Sequence, residues 1–172
     1  MTRLGHLAVR FAASVRARPL DRADLAFVRH HLRPEELACW ERLGPADRAE
    51  SLATARAALG ALGPGADPAW VAAALLHDVG KAETRLGSVG RASATLAAGL
   101  AGHGRARAWP NAVGRYVNHD ELGAQRLRQA GARAEAVVWA AAHHRRSRWP
   151  GTGIPPEICE ILAAADGEPF PV

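Results

Sequence analysis

Along most of this chain an alanine-rich segment runs into a glycine or a proline, and then the pattern starts again. Alanine is the best helix former, and glycine and proline end helices, so a sequence punctuated in this way predicts short helices packed side by side. Residues 46–62 put Leu52, Ala55, Leu59 and Leu62 on one stripe and stop at Gly63-Pro64-Gly65. Asp67 is placed to cap the next helix, with Pro68 at its first position, and that helix is predicted to run to Gly80. Further helices are predicted over 21–32, 35–43, 92–100, 111–116, 120–130, 134–144 and 156–165. Strand-like alternation is missing and β-branched residues are scarce. The expected fold class is all-α, a single-domain helical bundle in which small alanines let helices approach closely.

A chain of 172 residues fits one domain, and 48% apolar with 23% charged residues is a globular composition rather than a disordered one. Cys39 and Cys159 lie far apart with no CxxC, which argues against a disulfide scaffold or a cysteine zinc site and makes the cytoplasm the expected compartment. The longest apolar run, residues 69–76, falls far short of the ~20 needed to cross a membrane. The net charge of +5 is almost all arginine, Lys81 being the sole lysine. Such an excess is weak evidence for nucleic acid, which is not the expected partner. The first twenty residues carry arginines and no acid, with Leu4, Leu7, Phe11 and Val15 at helical spacing. They read as an amphipathic helix packed on the domain rather than a transit peptide. Residues 1–45 are therefore taken as N-terminal helices resting on a functional unit at 46–172.

The titratable residues fall at the ends of the predicted helices. His77-Asp78 closes one, His143-His144 a second and Asp166 a third; His119 opens another, and Glu50 sits in the first turns of the helix beginning near Ala46. Helix ends are where a bundle can bring side chains from several segments to one point. Imidazole and carboxylate are the ligands that Zn, Fe, Mn and related divalent ions select. Leu75-Leu76-His77-Asp78-Val79-Gly80-Lys81 resembles the signature of the HD-domain superfamily of metal-dependent phosphohydrolases. The resemblance extends over about residues 46–166, through His119-Asp120-Glu121-Leu122-Gly123-Ala124, Ala142-His143-His144 and Ile161-Leu162-Ala163-Ala164-Ala165-Asp166.

That resemblance implies an HD-type bundle holding one or two divalent ions, among Mn, Fe, Mg, Co, Ni and Zn, and a small-molecule phosphoester substrate such as a nucleotide. It implies that His77, Asp78 and Asp166 ligate a first metal, with Asp78 bridging to a second held by His119, His143 and His144. Asp78 is thereby a catalytic residue, and Lys81 matches a lysine that faces the substrate phosphate. Two cations a few ångströms apart polarise a phosphoryl oxygen and activate a water for in-line attack. The chain departs from the pattern where the family's leading histidine should fall: Arg48-Ala49-Glu50-Ser51 puts Glu50 there. Glu50 is either a ligand, favouring harder ions, or an ordinary acid in a first helical turn. If the site is weakened, the alternative function is an HD-fold nucleotide-binding or regulatory module. No Gly-Tyr-Pro element follows the paired histidines, which excludes the HD-GYP subfamily reading. Arg115 and Arg145 are candidate phosphate contacts, against a plain solvated surface for the same arginines. His6, His30 and His31 are read as surface or satisfied core residues, and His103 as an exposed loop residue.

Overall fold

The computed structural model describes residues 19–84 and 86–167, and among these there are helices and turns but no strand. Helix α1 spans Arg22–His31, α2 Pro34–Trp40, α3 Pro45–Leu62 and α4 Pro68–Leu76, and a 3-10 turn over Val79–Glu83 follows. Then come α5 (Ser88–Ala101), α6 (His103–Arg107), α7 (Ala112–Val117), α8 (His119–Ala130) and α9 (Ala134–Ala142). A second 3-10 segment, Arg146–Gly151, leads to α10 (Pro156–Ala165). The all-α expectation holds. The predicted N-terminal helix with Leu4, Leu7, Phe11 and Val15, and His6, lie outside the described residues.

Local chemistry starts the helices where the sequence announced them. Asp21 and Asp24 form a reciprocal capping box at α1, each carboxylate accepting from the other's backbone N–H at 2.9–3.0 Å. Asp67 accepts from the Ala69 N–H at 2.9 Å to open α4 behind Pro68. The apolar run of the sequence becomes the axis of the bundle: Val71, Ala72, Ala73, Ala74, Leu75 and Leu76 of α4 are almost wholly buried. Around them pack α1, α2, α3, α9 and α10. A helix apolar on every side has to be enclosed, and its three consecutive alanines let the neighbours close in.

Two boundaries differ from expectation in a way that matters for function. The helix from Pro68 ends at Leu76 instead of Gly80, so His77 is its C-cap and Asp78 begins a new turn. Gly80 is not a left-handed helix terminator. Its missing side chain makes room for another backbone: a Cβ there would stand 1.9 Å from the His119 carbonyl oxygen and 2.6 Å from the Gly123 nitrogen. The 3-10 turn therefore lies directly against the start of α8. Likewise α9 stops at Ala142, which leaves His143 as its cap. The short α6 was read as loop, and His103 begins it.

Candidate metal centre

Four helix ends meet beside the 3-10 turn: the C-termini of α4, α9 and α10 and the N-terminus of α8. They carry His77-Asp78, His143-His144, Asp166 and His119 respectively. Three of the imidazoles are oriented by the same local device. Nδ1 of His77 donates to the Ala74 carbonyl at 2.8 Å, Nδ1 of His119 to Tyr116 at 2.6 Å, and Nδ1 of His143 to Ala140 at 2.9 Å. Each acceptor is three residues upstream. With Nδ1 used as a donor, Nε2 of each ring is the atom directed inward, the tautomer in which histidine ligates through Nε2.

Asp78 stands at the centre. Its Oδ1 lies 3.0 Å from His119 Nε2 and 3.7 Å from His143 Nε2. Its Oδ2 lies 3.2 Å from His77 Nε2, which is in turn 3.2 Å from Asp166 Oδ1. His144 Nε2 is 3.0 Å from His119 Nε2. Asp78, His119, His143 and His144 each offer one ligand atom, and the four atoms lie within 4.8 Å of one another. The expected set thus meets in space, with the two oxygens of Asp78 facing two different groups of partners. Glu50 is reached through Lys81, whose ammonium contacts Asp78 Oδ2 and lies 3.7 Å from Glu50 Oε2.

These residues fit a divalent cation. His77 Nε2, Asp78 Oδ1, His143 Nε2 and Asp166 Oδ1 are all buried with no hydrogen-bond partner. Buried polar atoms are nearly always satisfied, so four unsatisfied ones converging from three segments call for a charge to gather them. The charge states agree except at His77, where burial opposes protonation but Asp78 and then Asp166 hold the imidazole well above its ordinary pKa, so that a cation would have to displace a proton. Burial drives the His143 imidazole down to about 4, helped by the neighbouring His144, so it is neutral and able to donate a lone pair. Burial pushes Asp166 the other way, but the His77 imidazole outweighs it and holds the carboxyl at about 2. Burial also opposes ionisation of Asp78, yet Lys81 and then His77 keep it well below the usual carboxylate range. Lys81 stays firmly charged, since the attraction of Asp78 and Glu50 exceeds its desolvation.

The candidate phosphate arginines part company. Arg115 is exposed on α7. Arg145 donates to Asp120 at 2.9 Å and to Glu121 at 2.6 Å. Asp120, fully buried, is also gripped by Arg107 at 2.7 and 3.3 Å, while Arg107 bonds Asn118 at 2.8 Å. This brace ties α6, the start of α8 and the residues after α9 together, directly beside His119 and His144. Sequence reading missed it because the partners lie 13 and 25 positions from Asp120, with no local spacing rule to link them. Arg91 was also missed; it pairs with the buried Asp47, one helical turn from Glu50. Trp149 is core, packed on Trp139 at 5.8 Å with its N–H on the Ala142 carbonyl. His31 bonds the Phe27 carbonyl and His30 is exposed, as expected.

A helical bundle whose helix ends converge histidines and aspartates on one buried carboxylate is an all-α protein with a side-chain group that could hold a metal ion. The HD domain family matches residues 48–167, and the chain belongs to that family. No curated protein and no solved structure matches it. No helix among the described residues is long and apolar enough to cross a membrane.

Proposed function

We propose that the protein is a metal-dependent phosphohydrolase acting on a small phosphoester, a nucleotide or a related compound. The observation that carries this reading is the set of buried, unsatisfied ligand atoms gathered about the two oxygens of Asp78. Asp78, His119, His143 and His144 would hold a divalent ion, with His77, Asp166 and Glu50 as the remaining candidates. Such an ion, when bound, supplies Lewis-acid polarisation of a phosphoryl oxygen and lowers the pKa of a water.

The chain's own residues do the rest. Asp78 is the shared carboxylate, its charge held in place by Lys81 and by imidazoles on both sides. Lys81 is in contact with Asp78 and lies 3.7 Å from Glu50, a positive charge beside the site that would attract a phosphoryl oxygen. The partly exposed Glu50 and the exposed His144 mark the mouth through which a phosphoester would enter. Arg115 and Arg145 remain candidates for outer phosphate contacts, Arg145 only if it trades part of its hold on Glu121. The test is turnover of a panel of nucleotide monoesters, diesters and triphosphates by protein loaded in turn with Mn, Fe, Co, Ni, Mg and Zn. Turnover with at least one metal, lost in Asp78→Asn, supports the reading; no turnover with any metal refutes it. The Glu50 departure supports a second reading, a nucleotide-binding regulatory module. Tight nucleotide binding without turnover, with hydrolysis gained in Glu50→His, is its expected signature.

A further inference from the structure

His119 and His144 come from different segments, the start of α8 and the residue after the cap of α9, yet their Nε2 atoms stand 3.0 Å apart. The residues that follow them in the chain, Asp120 and Arg145, are also paired, Oδ2 to Nη2 at 2.9 Å. Two consecutive rungs therefore join the segments, imidazole to imidazole and then carboxylate to guanidinium. The second rung is firmly anchored. Asp120 is wholly buried; its Oδ2 also receives Arg107 Nη2 at 2.7 Å, and its Oδ1 the backbone N–H of Glu121 at 2.8 Å. Arg107 is held in turn by Asn118, whose amide reaches back to the Arg107 and Gly114 carbonyls at 2.8 and 2.9 Å. On the other side, Arg145 Nη2 donates to Glu121 at 2.6 Å and to the Ala141 carbonyl in the last turn of α9 at 3.2 Å. A carboxylate gripped by two guanidiniums in the interior is hard to displace, because breaking either pair leaves a buried charge uncompensated. His144 is exposed and lies past the end of α9, so its place depends on how the chain turns there. The spacing matters for a cation: two nitrogens each about 2.1 Å from one ion stand roughly 3.0–3.4 Å apart. The observed 3.0 Å is already that of a ligand pair, and ligand distances tolerate only about 0.2 Å.

We propose that Arg145 is a positioning residue for the metal site, held by Asp120 so that it fixes the separation of His144 from His119. It acts on the cation through His144, whatever contact it also makes with a phosphate. The proposal rests on the metal-dependent reading above but not on hydrolysis.

The experiment is a double-mutant cycle read as ion affinity. Chelator-stripped full-length protein is titrated with Zn2+ and Mn2+ by calorimetry, with a competing chelator to keep tight and weak binding on one scale, and each preparation is melted alongside. Arg145→Met should weaken ion binding by about tenfold, the loss typical of a residue that orients a ligand. Arg148→Met, which removes a neighbouring cation paired with Glu121, should change it by less than about twofold. His144→Ala should weaken binding as well, and in that background Arg145→Met should add less than about twofold. Losses of the same size in both backgrounds overturn the proposal, as does an equal loss in Arg148→Met. So does an Arg145→Met variant that binds ions as the wild type does and differs only in its melting midpoint or in KM for a phosphoester. Where Arg145→Met does not fold, Arg145→Lys decides in the same two backgrounds, with a loss of about threefold expected in the first and none in the second. Ion binding that ignores Arg145 sinks this proposal alone; binding weakened as described, without phosphoester turnover in the wild type, sinks the hydrolase reading alone; no ion binding at all sinks both.

Discussion

Replacing Gly80 with alanine tests whether the approach of two backbones sets the metal site. The new methyl would stand 1.9 Å from the His119 carbonyl oxygen, 2.6 Å from Gly123 N and 2.8 Å from the His119 carbonyl carbon. Ordinary contact lies near about 3.5 Å, so the 3-10 turn and α8 must separate by on the order of 1 Å. Both obstacles are backbone and cannot rotate away. The cost should therefore sit at the upper end of the usual overpacking range of about 1–3 kcal/mol. For a chain of this size that is a fall of about 6–12 °C in the thermal midpoint. The same separation carries His119 away from Asp78 Oδ1, now 3.0 Å from its Nε2. Metal–ligand distances tolerate only about 0.2 Å, so divalent-ion affinity should drop by at least about tenfold. Calorimetric metal titration and thermal melting of one preparation measure both. An alanine variant that melts within about 2 °C of wild type and binds metal within twofold would refute the reasoning.

Gly60, exposed in α3, is the opposite case: a Cβ there meets nothing within 4 Å. Gly60→Ala should raise stability by about 0.5–1 kcal/mol in urea melts and leave metal affinity unchanged. Glu36, fully buried, receives the Arg133 Nε and backbone N–H on one oxygen and the Arg133 terminal nitrogen and Arg33 N–H on the other, at 2.8–3.0 Å. Glu36→Gln strands the guanidinium and should cost about 3 kcal/mol at neutral pH. Burial opposes ionisation of Glu36, but the Arg133 and backbone donors outweigh it and lower its pKa. Its contribution is thus complete above the unfolded value of about 4.3 and is lost as pH falls through the lower folded value, so the gap between variant and wild-type midpoints should narrow only below about pH 4. Chelating the metal from protein kept at a hundred times its Kd should remove about 2.7 kcal/mol, or about 5–11 °C of midpoint, with no such drop in Asp78→Asn.

What could be read from the sequence was what is written locally or in order. His77, Asp78, Gly80 and Lys81 fall within five residues, and the later histidines and Asp166 follow at the ends of the helices predicted over 120–130, 134–144 and 156–165. Why Gly80 is there could not be read: within its own segment it looks like a helix stop, and only the packing of α8 shows that it clears space. The Arg107–Asp120–Arg145 brace and the Glu36–Arg133 pair were hidden for a related reason. Arginine is so common in this chain that no single one stands out, and ion pairs spanning 13 to 97 positions leave no periodic trace. Lys81 was conspicuous by its rarity, yet its engagement with Asp78 and Glu50 depends on how α3 lies against α4.

The positions of the histidines follow from a general property of helices. The last carbonyls of a helix have no intrahelical donor. Ala74 lies in the last turn of α4, Ala140 in that of α9 and Tyr116 in that of α7, and their carbonyls receive Nδ1 of His77, His143 and His119. A histidine just past a helix end can therefore satisfy an orphan carbonyl and fix its own tautomer at once, leaving Nε2 pointing onward. Built on helix ends in this way, the site needs no loop to aim its ligands; the enclosed α4 and its alanines set the distances between the ends. Substituting asparagine or glutamine at these positions would sacrifice one function or the other, because neither amide can put a donor on the carbonyl and a lone pair on the cation with the reach and planarity of imidazole.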